Sequence, residues 1–441
     1  MRRRNKSNVH TGIRMEDCLG SKSMDRKIQG HSLRVMHIVL NLDIGGAQEV
    51  VYTLAKYMAR DGHKPVVCTF KDGPLRQEVE RLGIPVEILP DRSYSIFALP
   101  LFLLEILRIR KELIRLIGKY HIDIVQTHLL QSLDFLVATL HFLTRSPAIY
   151  WTVHNYKFSL QEQDLPRFPW LLRPKRFLYR ILYALCIYWI DGVIAVSDDV
   201  RKAILAIMGP VAEKKITTIF NGVDLERYQK SVSKCLVRES LGLDERALLV
   251  LVVAMLKEQK GHRYLLEAAV HVIPRFPHLH FLLVGDGILK EELRAQTLHL
   301  GLEENVHFLG IRQDIPDLLA ESDYFVLPSL WEGLPMALIE AMASGLPIIA
   351  TEVSGSKQLI EPGISGILIP PGDSQRLAEA ICEIVSDRAR AAEMGQAAQQ
   401  RVRQGYSAGK QAKEHVQLYQ QSDPMIRQLN FTRDFTEHIE S

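Results

Sequence analysis

No stretch of the 441-residue sequence reaches the roughly 18 uninterrupted apolar residues of a membrane span. The nearest candidates are broken, residues 96–107 by Glu105 and residues 177–190 by Arg180. The amino terminus, M-R-R-R-N-K, carries positive charge but lacks the apolar core of a signal peptide. Residues 1–32 are polar and aperiodic and read as a disordered leader or a misassigned start. Cysteine is scarce: the five residues (18, 68, 186, 235 and 382) are an odd number, widely scattered, with no C-x-x-C pair. That pattern suggests neither a metal nor a redox site and fits a reducing cytoplasm. An excess of one charge is also missing. The formal net charge is +3 and the basic residues are not pooled along one helix, so nothing points to a nucleic-acid partner.

What is present is an ordinary globular composition, 47% hydrophobic and 24% charged. The length suits two domains of roughly 150–200 residues each. The most informative stretch is 322–345, S-D-Y-F-V-L-P-S-L-W-E-G-L-P-M-A-L-I-E-A-M-A-S-G. Residues 324–327 are a short apolar run of buried-strand type, and 328–333 form a loop punctuated by Pro, Ser and Gly. Pro335 suits the first position of a helix and Gly345 the residue just past its end. Glu332 then sits at the helix mouth and Glu340 about two turns in. A helix N-terminus presents unpaired N–H groups and partial positive charge, which favours a phosphate. Two carboxylates flanking it could accept hydrogen bonds from sugar hydroxyls. The bland reading, a surface Glu beside a core βα unit, is equally open on spacing alone.

Along the chain, 33–40 reads as a first strand, 41–48 as a loop carrying Gly45-Gly46, and 49–60 as a helix by its apolar spacing. Strand, Gly-Gly loop and helix let backbone N–H groups approach an oxyanion, though the loop is not G-x-G-x-x-G and a nicotinamide fold is a poor match. Strands at 65–70, 85–89, 122–127, 148–153 and 192–197 alternate with helices, which argues for a parallel sheet covered on both faces. His128 and His154 fall at strand ends, where open α/β sheets bind ligands, although a lone histidine is usually structural. Residues 165–190 interleave Arg167, Arg173, Lys175, Arg176 and Arg180 with Phe168, Trp170, Phe177, Tyr179 and Tyr183. Such mixtures suit an interfacial membrane contact, and 96–120 could contribute; core helices with solvated faces explain both equally simply. An Asn-Gly turn at 221–222 ends the first half. The rhythm restarts with a strand at 247–254, a loop containing Lys257 and Lys260, and further strands at 280–284 and 306–310.

Glu332 and Glu340, with Gly333-Leu334-Pro335 between them, resemble the E-x7-E signature of the large retaining glycosyltransferase family of GT-B fold, the glycosyl transferases group 1. N-G-V-D at 221–224, Lys260-Gly261, Gly285-Asp286-Gly287 and V-H-F-L-G at 306–310 match the same family in order, over roughly residues 33–420. The resemblance implies an α/β protein of two Rossmann-like domains facing each other across a cleft. Residues 33–220 would form the acceptor-side domain, 221–407 the nucleotide-sugar domain, 408–421 a helix crossing back to the first domain, and 422–441 a polar tail. It implies transfer of a sugar from a nucleotide-diphosphate donor to a sugar or lipid-linked acceptor hydroxyl with retention, in polysaccharide or glycolipid biosynthesis. Lys260 and the backbone at Gly333, Leu334, Pro335 and Met336, with the N–H groups it carries, would face the diphosphate, Glu340 the ribose, and Glu332 and His154 the sugar. Gly45, Gly46 and Gly310 would complete the donor site. Family members usually carry Arg where this chain has Met255; Lys257 could substitute if the chain is still extended there. With no Asp-x-Asp, no metal or other cofactor is expected. The chain would be cytoplasmic, with a possible peripheral membrane contact through 96–120 and 165–190. Two alternatives are a sugar-nucleotide 2-epimerase-type isomerase, which shares the architecture, and an inactive membrane-associated scaffold of a polysaccharide assembly complex.

Overall fold

The computed structural model describes residues 32–43, 45–90, 99–128, 132–143, 147–154, 172–228 and 236–422; the leader and the tail lie outside them. Thirteen strands are described, in two all-parallel sheets. The first sheet contains β1 (Arg34–Asn41), β2 (Lys64–Lys71), β3 (Val86–Ile88), β4 (Ile124–His128), β5 (Ala148–Val153), β6 (Gly192–Ala195) and β7 (Ile216–Thr218). Its spatial order is β3-β2-β1-β4-β5-β6-β7. The second contains β8 (Leu248–Val253), β9 (Leu279–Val284), β10 (Val306–Gly310), β11 (Tyr324–Leu327), β12 (Ile348–Thr351) and β13 (Ile367–Ile369). Its order is β10-β9-β8-β11-β12-β13.

The sequence dictates this layering through its apolar runs. Side chains alternate between the faces of a strand, and a strand apolar at every position must be covered twice. In β1, Met36 and Ile38 enter one core cluster while Val35 and Val39 enter others. In β8, Leu249 and Leu251 face one cluster, Val250 and Val252 another. Helices cover both faces. The C-terminal helix Ala408–Ser422 packs on the helix Gly46–Arg60 of the first domain, where Ala412 and Tyr419 share a cluster with Leu54 and Met58. Ser407 and Val223 pair as a short parallel bridge at the crossing.

Both sheets reverse direction of growth once, the first between β1 and β4 and the second between β8 and β11. Crevices outside the carboxyl ends of strands at such reversals are where open α/β folds hold ligands. One expectation needs correcting. The helix after β11 runs Met336–Ala343 and Pro335 precedes it in extended backbone (φ −72°, ψ 117°) rather than opening it. Gly345 follows the helix with φ +77°. Among the described residues no helix is long and apolar enough to cross a membrane.

Candidate active site

At the second-domain switch point two loops are stitched together. Gln259 accepts from the Leu330 N–H through its carbonyl (2.7 Å) and donates from its side chain to the Trp331 carbonyl (2.8 Å). Gly261 makes this possible. Its φ is +65°, and a Cβ there would stand 2.0 Å from the Pro328 carbonyl oxygen. The stitched loops bring Lys260 Nζ to 2.5 Å from Glu332 Oε1, and Ser329 Oγ donates to the same oxygen at 2.7 Å. Both charged side chains are largely buried, so each needs the other. Ser354 Oγ donates to the Glu332 carbonyl at 2.8 Å. Gly355 lets the loop lie this close, since a Cβ on it would stand 2.5 Å from the Gly333 carbonyl oxygen.

Lys257 belongs to the same locus. It is extended (φ −140°, ψ 159°), Leu256 between it and Met255 is buried, and Met255 is exposed. Burial and then the Lys260 charge lower its ammonium, with Glu332 opposing. The Lys257 N–H, however, donates to the Met255 carbonyl at 2.8 Å, a three-residue turn about Leu256, so the chain is not extended from 255 to 257 and the condition for Lys257 and Met255 to share a side is not met. Gly310 stands apart, at the end of β10, two strands from β8.

Glu340 lies on the Met336 helix but faces the interdomain linker. Burial pushes its carboxyl up to about 7, Glu49 adds to this, and Arg227 and the Tyr228 hydroxyl oppose it. Glu49, on the Gly46–Arg60 helix, pairs with Arg227. Further along that helix Lys56 meets Asp224 at 2.5 Å and Arg60 meets Glu226 at 3.2 Å. Residues 49, 56 and 60 are spaced to share one helix face, so that face is zipped to residues 224–227. Where the helix begins, a Cβ on Gly46 would stand 3.7 Å from Met336 Cγ. The Gly-Gly loop thus meets the start of the Met336 helix across the domain boundary. Asn221 donates to the Leu334 carbonyl at 3.5 Å.

At the first-domain switch point the groups are neutral. His154 follows β5 and is partly exposed. Its Nε2 lies 3.1 Å from His128 Nδ1, and His128 Nε2 lies 3.4 Å from His37 Nδ1. Burial pushes the His154 ring down to about 4, with His415 of the C-terminal helix adding to the effect.

The structure thus brings Lys257, Lys260, Glu332 and Gly333 together, seats Gly46 against Met336 while Gly45 lies against Gln48, and sets Glu340 toward the linker. Sequence reasoning missed Glu49, Arg227 and Tyr228, His37 and His415. Only the spacing of 49, 56 and 60 on one helix face hinted at a partner.

Comparison with known proteins covers nearly the whole described chain. Residues 44–227 match the family described as Glycosyltransferase Family 4, and residues 233–401 match Glycosyl transferases group 1. A relative from Escherichia coli, UDP-Gal:alpha-D-GlcNAc-diphosphoundecaprenol alpha-1,3-galactosyltransferase, is 30% identical over 280 residues, 63% of this chain and 70% of its own. An uncharacterized glycosyltransferase of Methanocaldococcus jannaschii is 25% identical over 85% of this chain and 94% of its own. Among solved structures, Anabaena HepE in complex with UDP and glucose superposes with a TM-score of 0.71 at 24% identity, over 87% of this chain and 98% of that one.

Proposed function

Because the chain belongs to the glycosyl transferases group 1 family and is a glycosyltransferase of GT-B fold, we propose that it moves a hexosyl group from a nucleotide-diphosphate sugar to an acceptor hydroxyl with retention. The observation that carries this reading is the buried Lys260–Glu332 pair at the mouth of the Met336 helix. Departure of a diphosphate builds negative charge on the leaving oxygen, and pre-placed cations and N–H groups stabilise it. An ammonium has three N–H donors, so Lys260 can keep Glu332 while donating to a phosphate. Glu332 is thereby held beside the donor sugar. Glu340 and Tyr228 would offer hydrogen bonds to ribose hydroxyls, and His154 would contact the sugar or the acceptor from the first domain. The bond broken joins the anomeric carbon to the diphosphate oxygen; the bond formed joins that carbon to the acceptor oxygen on the same face. The acceptor proton passes to the departing phosphate, so no separate protein base is required. No metal is assigned a role.

The Escherichia coli relative is named for a UDP-galactose donor and a diphosphoundecaprenol-linked acceptor, which makes UDP-hexoses and lipid diphosphates the first probes. A lipid-linked acceptor also suits the surface. On the helix Leu172–Cys186, Phe177, Ile181 and Leu185 are exposed at helical spacing beside Arg180, and Tyr188 follows them. Leu104 and Leu107 are exposed on the helix Leu99–Tyr120. Both helices pack on Ser132–Ala138, so they form one side of the first domain. The basic and aromatic residues at 155–171 lie outside the described residues. Relatives of this chain are named for transfer, which favours a transferase over the isomerase alternative. The test is a UDP-sugar panel with a synthetic lipid diphosphate, with the product's anomeric configuration read by NMR. Inversion, or no stabilisation by any nucleotide sugar, defeats the proposal; co-flotation with anionic vesicles tests the surface.

A further inference from the structure

We infer that His128 and His37 are positioning residues for His154, and that the chain of three rings fixes His154 as a hydrogen-bond donor toward the cleft through Nδ1. The inference deepens the transferase reading, from which it takes the place of His154 at the cleft. A neutral imidazole carries one N–H and one bare nitrogen. Three neutral rings therefore hold three N–H protons. Two of these occupy the ring-to-ring contacts, His154 Nε2 to His128 Nδ1 at 3.1 Å and His128 Nε2 to His37 Nδ1 at 3.4 Å. The third must sit at one end of the chain, either on His154 Nδ1 or on His37 Nε2, and the choice sets every tautomer between.

The two ends differ. His37 is fully buried, and its Nε2 has no hydrogen-bond partner. A stranded buried N–H is the rarest kind of unpaired group in folded proteins and costs about 1–3 kcal/mol. His154 is partly exposed, so an N–H on its Nδ1 can reach water or a sugar hydroxyl. The proton therefore belongs on His154 Nδ1. His128 then donates from Nδ1 to His154 Nε2, and His37 donates from Nδ1 to His128 Nε2.

The surroundings keep the rings neutral. Burial pushes His37 down to about 3, aided by His415 and opposed by Gln126, and burial together with His154, His37 and His415 holds His128 well below the ordinary range. His415 is itself pushed down to about 4 by burial and its Nδ1 lies 2.9 Å from the Gln411 carbonyl. The side chain of Gln126, which is in register with His37, is already engaged. It accepts from the Tyr419 hydroxyl at 2.6 Å and donates to Thr152 at 2.5 Å. A histidine so placed gives a hydrogen bond to a hydroxyl oxygen of sugar or acceptor and takes no proton from it.

Long-range proton–nitrogen NMR of the imidazoles in the 15N-labelled full-length protein at pH 7 reads the tautomers directly, with His154 identified by its loss in His154→Gln. The expected spectrum shows His154 protonated at Nδ1 and bare at Nε2. Protonation at Nε2 would mean that Gln126 takes the His37 proton, and overturns the assignment. This measurement needs no turnover, so it stands apart from failure of the transferase reading. In kinetics, His128→Phe should lower kcat about tenfold, the scale of one lost hydrogen bond, with donor KM within about twofold. His128→Gln, whose amide can donate to His154, should recover most of that loss. Equal kcat in both variants with unchanged melting temperatures would also overturn it.

Discussion

The two switch points of this molecule face one cleft and are built on opposite electrical plans. In the second domain a full positive and a full negative charge are buried 2.5 Å apart. In the first, three imidazoles meet in a row and all are held neutral by burial. A buried charge is tolerated only with a partner, and a diphosphate that arrives with its own charge needs a fixed cation waiting for it. A hydroxyl acceptor needs only oriented dipoles, which neutral rings supply without a desolvation penalty for charge. On the proposed reading the plans differ because a departing diphosphate would meet the charged one and a neutral hydroxyl the other.

The comparison breaks most visibly at Lys260. Lys260→Ala should lower kcat on the order of 10²-fold or more, the scale for one lost leaving-group stabiliser. It also leaves Glu332 buried without its cation, a change that costs about 3–5 kcal/mol in buried pairs. Adding Glu332→Gln should restore the melting temperature without restoring kcat. A single variant that keeps both its rate and its melting temperature would show that the charged plan does not exist.

Next comes the pH dependence of stability, where the two sides should pull in opposite directions. Glu340 is raised to about 7, so between its unfolded value near 4.5 and pH 7 the folded state holds the extra proton. Stability then falls as pH rises through that window, by up to about 3 kcal/mol. His37 is lowered to about 3, so between that value and its unfolded 6.5 the unfolded state holds the extra proton, and stability rises with pH. Glu340→Gln should therefore gain melting temperature relative to wild type at pH 8 but not at pH 5. His37→Gln should do best against wild type at pH 5. Parallel curves for either variant would cancel that half of the comparison. Glu340→Gln should also raise donor KM more than it lowers kcat, because a ribose contact acts in ground and transition states alike.

The charged plan was legible in the sequence and the neutral one only in part, through His128 and His154 at strand ends, for a physical reason. Glu332, Gly333, Pro335 and Glu340 sit on one strand–loop–helix unit, so their spacing already encodes their geometry. Lys260 is 72 residues away from Glu332, yet it occupies the equivalent loop of the strand next to β11, and the βα rhythm places it there. That the strands run parallel was readable from their alternation with helices and from apolar runs that need cover on both faces. The histidine row is different. His37, His128 and His154 come from three strands, and their meeting depends on β1, β4 and β5 being neighbours, which no local pattern states. His415 arrives from a helix near the end of the chain. The Glu49–Arg227 pair spans 178 residues and closes only when the linker lies along the first-domain helix. Pro335 misled by one residue because proline tolerates both the first helical position and the extended residue before it.

A smaller and sharper test concerns the edge of the charged site, where the chain departs from the family pattern. Met255 is 57% exposed and is separated from Lys257 by a tight turn about Leu256, so a long cation placed there tests whether a flexible side chain reaches past the turn. Burial and the Lys260 charge lower the Lys257 ammonium, which marks it as close enough to feel that charge but poorly solvated. Lys257→Ala should raise donor KM a few-fold, roughly the 1 kcal/mol scale of a partly screened contact, and leave kcat within about twofold. Met255→Arg in that background should return KM toward wild type, because a guanidinium offers a bidentate grip that an ammonium cannot. Titration with the nucleotide diphosphate alone separates the outcomes. If Lys257→Ala binds it as tightly as wild type and Met255→Arg binds it no better, the cationic site ends at Lys260 and the first βα loop of the second domain contributes one charge, not two.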